Sequence, residues 1–182
     1  MIPSTFPRWP HEWVRLTDDE VAAIREGSKL RDGHGGKARG TERPGYAGHD
    51  GFGPAKNELG DLGEKVYSIT TGLAMNEDVI IGGVKGDDFP DGINVKTTPF
   101  IDGRCNLIVE PASHDQIPPS RGYACVAIML DGSAVYGVIL GWASNKEVTE
   151  APMQDYGYGP KLSIHHTSLH RPLRWIIAGA FP

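Results

Sequence analysis

Residues 87–98 read DDFPDGINVKTT, a group of carboxylates followed by a run rich in β-branched residues. Pro90 and Gly92 are typical turn residues, and the run after them predicts a β-strand. Side chains two apart on a strand point to the same face, so Asn94 and Lys96 are expected to share one face. The stretch therefore predicts an acidic turn that leads into a strand carrying a lysine.

The carboxylates of this turn indicate a type of chemistry. Asp88 and Asp91 lie within eight residues of Lys96. Carboxylate oxygens are preferred ligands of hard divalent cations, and an ammonium can contact a phosphate or a metal-bound water. The alternative is an acidic surface turn and an exposed strand lysine that share no role. These residues alone leave both interpretations open.

Residues 55–71, AKNELGDLGEKVYSITT, are predicted to form a helix. Its apolar residues recur at spacings of three and four: Leu59, Leu62, Val66 and Ile69. Gly60 and Gly63 lie about one turn apart, although each glycine costs a helix about 1 kcal/mol relative to alanine. Such a pair would let another backbone approach closely, and Glu64 follows it. Glu64 could project toward that neighbour, or it could be a solvated helix residue.

The order of these features resembles the PD-(D/E)XK nuclease superfamily, and most of all its small phage-type members. A Gly-x-x-Gly-Glu helix, an acidic turn and a strand ending in Val-Lys-Thr-Thr follow one another, and the resemblance extends over about residues 14–175. It implies an α/β fold: a mixed central β-sheet flanked by helices, with a restriction-endonuclease-like core of the αβββαβ type. It also implies a metal-dependent endo- or exonuclease that hydrolyses phosphodiester bonds with Mg²⁺, or with Mn²⁺ in its place.

The resemblance assigns roles to residues at the matching positions. It implies these catalytic residues: Glu64, Asp91, Asn94 and Lys96. It implies these metal ligands: Asp91, Asp88, Glu64 and Asn94. The superfamily expects an acid where this chain has Asn94, and an amide oxygen brings no charge to a metal. A catalytically degenerate protein that binds nucleic acid on the same fold is therefore an alternative, and which of Asp88 and Asp91 is the first acid stays open.

Basic residues suggest where nucleic acid would bind. The predicted nucleic-acid-binding residues are Arg31, Lys37, Arg39 and Arg43, because contacts to the phosphate backbone dominate affinity. A solvated charged surface is the alternative. DNA is favoured over RNA as the partner, and a homodimer is an expectation for an enzyme that cuts both strands. A viral structural or interaction protein, with the acidic turn as mere surface, is a third interpretation.

Composition sets milder limits. A chain of 182 residues with a formal net charge of −5 fits one domain, residues 1–182, and does not exclude a nuclease. No apolar run approaches the ~20 residues of a membrane helix, and no signal peptide is recognised, so we expect no membrane partner and a cytoplasmic protein, in the host cytoplasm if it is viral. Cys105 and Cys125 fall among apolar neighbours and are expected to be buried, reduced thiols.

Local signals divide the domain further. Thr17 and Glu20 form a predicted capping box that begins an N-terminal helix within residues 14–31. Residues 32–54 are rich in glycine and are expected to be a flexible loop, followed by the core over residues 55–175.

The remaining signals predict strands and one short helix. Asp-Gly pairs predict two hairpins, one joining the lysine strand to residues 104–110 and one joining residues 123–130 to 134–142. A short helix capped by Ser144 and an edge strand over residues 161–166 are expected to follow.

Overall fold

A computed structural model describes residues 12–39, 56–75, 87–100, 105–111, 120–157 and 159–170. The helices are α1 (Asp18–Arg39), α2 (Lys56–Thr71) and α3 (Asn145–Thr149), with a 3₁₀ helix at His166–Ser168. The strands are β1 (Val14–Arg15), β2 (Ile93–Pro99), β3 (Asn106–Val109), β4 (Gly122–Asp131), β5 (Ala134–Ser144), β6 (Met153–Asp155) and β7 (Pro160–His165). Within the described part of the chain, none of the helices has the length and apolar character needed to cross a membrane.

One sheet is mixed, as the sequence predicts for an α/β protein. Its order over the described residues is β1-β5-β4-β2, and β2 pairs with β4 in parallel while the other pairs are antiparallel. The hairpin of β4 and β5 turns at Asp131–Ala134, which confirms the second predicted hairpin. β4 is buried over most of its length because it is covered on both faces, as its continuous apolar run indicates.

A second sheet has the order β3-β7-β6 and is antiparallel throughout. The predicted hairpin between the lysine strand and β3 is therefore wrong: β2 pairs with β4, and β3 pairs with β7. An Asp-Gly pair favours a turn locally, but distant strands satisfy the backbone of both segments here. The predicted edge strand near residues 161–166 is β7, which lies between two partners and is not an edge.

Two apolar clusters join three layers. The first lies between α2 and one face of the mixed sheet, and it includes Leu62, Val66, Tyr67, Ile93 and Val95. The second lies between the opposite face and the β3-β7-β6 sheet, and it includes Leu107, Tyr123, Cys125 and Val138. The expectation of a central sheet flanked by helices is thus met on one face only among the described residues: a sheet, together with the short α3, covers the second face.

The start of α1 has the predicted capping box. The Thr17 N–H donates to Glu20 Oε2 at 2.9 Å, and the Glu20 N–H donates to Thr17 Oγ1 at 3.3 Å. The bond from the Thr17 backbone holds the pKa of Glu20 below its ordinary value. The same box recurs at α3, where the Ser144 N–H donates to Glu147 Oε2 at 2.8 Å and Ser144 Oγ accepts from the Glu147 N–H at 3.3 Å.

The end of α1 differs from the prediction. The helix continues to Arg39, so the first eight residues of the expected loop 32–54 are helical, and residues 40–54 lie outside the described residues. Extending an existing helix costs less than starting one, and Lys37, Ala38 and Arg39 are good helix formers after the glycines. Lys37 and Arg39 are therefore carried by a helix and not by a loop.

Candidate metal and phosphate site at the edge of the mixed sheet

The acidic turn is anchored through Asp91. Its Oδ1 accepts a hydrogen bond from the Ile93 N–H at 3.2 Å, and its Oδ2 accepts one from the Tyr67 hydroxyl at 2.9 Å. Burial raises the pKa of Tyr67 far above its ordinary value, and the Asp91 charge adds to that rise, so the phenol stays protonated and donates. The Tyr67 ring packs on Phe89 with centroids 4.6 Å apart. Asp91 therefore ties α2 to the turn.

Asp88 lies at the edge of β2. Its Oδ2 accepts a hydrogen bond from the Val95 N–H at 2.6 Å, on the side of β2 that faces away from β4. Burial raises the pKa of Asp88 above its ordinary value, and the Lys96 ammonium and the Val95 bond offset part of that rise. The Lys96 charge thus acts on Asp88, whereas the hydrogen bonds of Asp91 to Tyr67 and Ile93 hold the turn.

Asn94 is enclosed although it is polar. The residue is 6% exposed, and its Oδ1 accepts no hydrogen bond from the described residues. Asn94 and Lys96 are in register with Tyr123 and Cys125 of β4, which belong to the cluster between the two sheets. Both side chains therefore point to the face of β2 opposite α2, as the alternation predicts.

Glu64 lies on α2, which packs on the other face. The helix approaches β2 most closely at Gly63, where an added Cβ would lie 1.9 Å from Thr97 Oγ1. This confirms the close approach predicted from the glycine pair for Gly63, whereas Gly60 has open space at its Cβ. Glu64 and Tyr67 are three residues apart and share a flank of the helix, and Tyr67 reaches the turn. That flank is directed to the edge of β2.

The predicted set therefore approaches from two layers. Asn94 and Lys96 come from one face of β2, and Glu64 comes from the helix over the other face. A cation that binds all of them must lie at the edge of β2 that faces away from β4, where Asp88 already lies. Across the described ranges, no three His, Cys, Asp or Glu side chains group closely enough to hold a metal ion alone. A site there would need the amide oxygen of Asn94 or backbone oxygens.

The predicted nucleic-acid-binding residues are only partly described. Arg31, Lys37 and Arg39 belong to α1, and Arg43 lies outside the described residues. α1 packs on the flank of α2 that carries Asp61, whose Oδ2 accepts from Ser28 Oγ at 2.5 Å.

Two residues beside the turn are not indicated by any of the sequence patterns described above. Tyr67 bonds Asp91, and Arg121 lies across Gly92, whose added Cβ would come within 2.7 Å of Arg121 Cδ. Arg121 directly precedes the strand that pairs with β2, so only knowledge of that pairing would have drawn attention to it.

In the comparisons with known proteins, no protein-family model, no curated protein and no solved structure matches this chain.

Proposed function

We propose that the chain is a metal-dependent nuclease that hydrolyses phosphodiester bonds of nucleic acid, with DNA as the favoured substrate and Mg²⁺ or Mn²⁺ as the cofactor. The observation that carries the proposal is the Asn94 Oδ1 atom, which is enclosed, accepts no hydrogen bond within the described part of the chain, and lies on the strand face that bears Lys96. A buried acceptor without a partner costs about 1–3 kcal/mol, and a cation ligand would remove that cost.

The donor set suits a small hard cation. Mg²⁺ takes oxygen ligands at about 2.0–2.1 Å, so it approaches an enclosed oxygen more closely than a water molecule does. Asp88 offers a carboxylate fixed by the Val95 N–H, and Asn94 offers a neutral oxygen. Glu64 would add a second carboxylate from the flank of α2. These ligands would give a weaker site than one with an acid in place of Asn94, because the amide carries no charge.

Each residue would have a distinct task in hydrolysis. A bound Mg²⁺ supplies a water of lowered pKa and neutralises charge on the phosphate. The Lys96 ammonium, whose charge lowers the pKa of Asp88, would donate to a phosphate oxygen and stabilise the negative charge that develops there. Asp91 and Tyr67 would keep the turn in place, and Asp88 rather than Asp91 would act as the first acid.

A cleavage assay on plasmid and oligonucleotide substrates with Mg²⁺ or Mn²⁺ tests the proposal. Lys96→Ala should lower the cleavage rate about 100-fold or more, with an unchanged circular dichroism spectrum and melting temperature. Glu64→Ala should lower it as well. Lys146→Ala is the matched control, because Lys146 is a lysine on α3 whose side chain is 82% exposed. Undiminished cleavage by Lys96→Ala would remove Lys96 from the mechanism.

A non-cutting nucleic-acid-binding protein is the second candidate, and the neutral Asn94 favours it. Isothermal titration with Mg²⁺ and Mn²⁺ separates the two candidates, because a degenerate site should bind neither ion in a manner that depends on Asp88. In an active nuclease, Asn94→Asp should tighten Mg²⁺ binding, since it adds a charge at an enclosed ligand position. If the chain binds neither DNA nor RNA even at low salt, it would instead fit a viral structural or interaction protein.

A further inference from the structure

We infer that Arg121 is a binding residue for a backbone phosphate of the nucleic acid, one that neighbours the phosphate held at Asp88 and Lys96. The inference rests on the proposed function and assigns one more substrate contact to the same site. It comes from the position of Arg121 in the fold, at the start of β4 and directly beside the acidic turn.

The backbone of Arg121 is fixed from two sides. Its N–H donates to the Gly92 carbonyl at 2.9 Å, and its own carbonyl accepts from the Asn145 N–H at 3.1 Å. Arg121 is thereby tied to the turn before β2 and to the start of α3. A side chain that leaves so rigid a position loses less freedom when it binds a ligand than one on a loose loop does.

Gly92 forms a slot for the Arg121 side chain. Gly92 has a φ of +80°, and a Cβ at this position would lie 2.7 Å from Cδ and 2.8 Å from Cγ of Arg121. The methylene groups of the arginine therefore lie across the glycine. They direct the guanidinium along the turn, where Nη1 lies 3.5 Å from the Asp91 carbonyl oxygen, a long and weak contact.

The positive charge of Arg121 would offset the negative charge of the acidic turn. Three carboxylates of the turn, at positions 87, 88 and 91, repel the phosphates of a nucleic acid. Arg121 is exposed, and a guanidinium presents five N–H donors in a planar fork that fits phosphate oxygens. Its guanidinium can therefore bind the backbone of a nucleic acid beside the turn that precedes β2.

The spacing separates Arg121 from the scissile phosphate. Gly92 and Val95, whose backbone groups bond Arg121 and Asp88, are three residues apart in the chain, and Arg121 lies on the β4 side of β2 while Asp88 lies on the opposite side. At a rise of about 3.3 Å per residue the separation along the strand is about 10 Å. Arg121 would therefore bind a phosphate near the scissile one, not the scissile one itself, and would contribute to substrate binding more than to the chemical step.

Fluorescence anisotropy of a labelled DNA oligonucleotide, measured with Ca²⁺ over a range of salt concentrations, tests the inference. Arg121→Gln keeps the first two methylene groups over Gly92 and removes the charge. It should weaken binding and make the slope of log K against log salt less steep by about 0.7–0.9, the loss of one phosphate contact. Arg121→Lys should restore most of the slope. Arg15→Gln is the matched control, because Arg15 is exposed on β1, the strand at the far edge of the same sheet.

Cleavage kinetics of the same variants complete the test. Arg121→Gln should raise KM several-fold with little change in kcat, and its circular dichroism spectrum should match that of the wild type. If the wild type cleaves but Arg121→Gln has the same salt slope and KM as Arg15→Gln, the inference is overturned while the proposed function stands. If the wild type binds DNA with Ca²⁺ but cuts none with Mg²⁺, the nuclease proposal fails, and the slope of Arg121→Gln still decides whether Arg121 binds phosphate. A wild type that binds no nucleic acid overturns both.

Discussion

Two polar regions of the molecule differ in how completely their hydrogen bonds are made. Around Tyr156 the groups of the three-stranded sheet satisfy one another: the hydroxyl accepts from Asn106 Nδ2 at 3.0 Å, donates to Gln154 Oε1 at 2.6 Å, and lies 2.7 Å from Ser163 Oγ. At the edge of β2, by contrast, Asn94 Oδ1 is enclosed and no described residue donates a hydrogen bond to it.

The difference separates a structural role from a functional one. A network whose polar groups all have hydrogen-bond partners gains nothing from a ligand. It contributes to stability and to the packing of β6 and β7. An enclosed acceptor without a partner lowers stability and is retained more readily where something else binds it. The comparison therefore predicts that changes at the edge of β2 alter activity, whereas changes around Tyr156 alter stability alone.

The largest expected effect is at Asp88. Asp88→Asn should lower metal-dependent cleavage by about 100-fold or more, because a charged ligand beside Lys96 is lost. It should also raise the melting temperature at pH 7. The folded-state pKa of Asp88 is raised above 3.8 by burial, even with the attraction of Lys96 included. The folded state therefore retains a proton that the unfolded state has lost, and the free energy of unfolding falls as the pH rises through that window.

Thermal unfolding of both proteins between pH 3 and pH 8 checks the sign. The gain from Asp88→Asn should be present at neutral pH and should vanish below pH 3.8, where Asp88 is protonated in both states. Added Mg²⁺ should raise the melting temperature of the wild type but not of the variant, since a ligand stabilises only the state that binds it. A variant that is less stable at pH 7 and cleaves normally would show that Asp88 has a structural role, as the Tyr156 network is expected to have.

The second expected effect concerns the helix that would supply Glu64. Gly63→Ala should destabilise the protein by about 2–3 kcal/mol, because a Cβ there would lie 1.9 Å from Thr97 Oγ1 and α2 would have to move away from β2. Gly60→Ala is the matched variant. Its Cβ meets nothing within 4 Å, so it should stabilise the helix by up to about 1 kcal/mol. Urea denaturation gives both values, and equal effects of the two substitutions would contradict the close approach at Gly63.

The glycine pair illustrates what the sequence could predict. Local patterns identified α2, the capping box at Thr17, the helix cap at Ser144, and the hairpin of β4 and β5, because each depends on residues close together in the chain. They could not predict that β2 pairs in parallel with β4, or that β3 pairs with β7, because these partners are 29 to 59 residues apart and no local sequence pattern indicates the pairing. For the same reason the Asp-Gly pair after β2 suggested a hairpin that does not form.

In the candidate site, too, local features could be predicted from the sequence and those that depend on distant residues could not. The grouping of Asp88 with Lys96 followed from their short separation across a turn and a strand, and the Lys96 charge acts on the pKa of Asp88. The enclosure of Asn94 depends on the β3-β7-β6 sheet that covers its face, and the position of Arg121 depends on the β2–β4 pairing. Neither could be read from the neighbours of these residues in sequence.

The smallest expected effect is at Tyr156, and it completes the contrast. Tyr156→Phe removes a hydroxyl that three side chains share, so it should lower the free energy of unfolding by about 1 kcal/mol, which is about 2–4 °C in melting temperature for a chain of this size. Cleavage and Mg²⁺ binding should not change, because the network belongs to the other sheet. A calorimetric melt and a cleavage assay on one preparation measure both quantities. Impaired cleavage with unchanged stability would show that a region with paired hydrogen bonds also serves function in this protein. The unpaired oxygen of Asn94 would then no longer distinguish a functional region from a structural one.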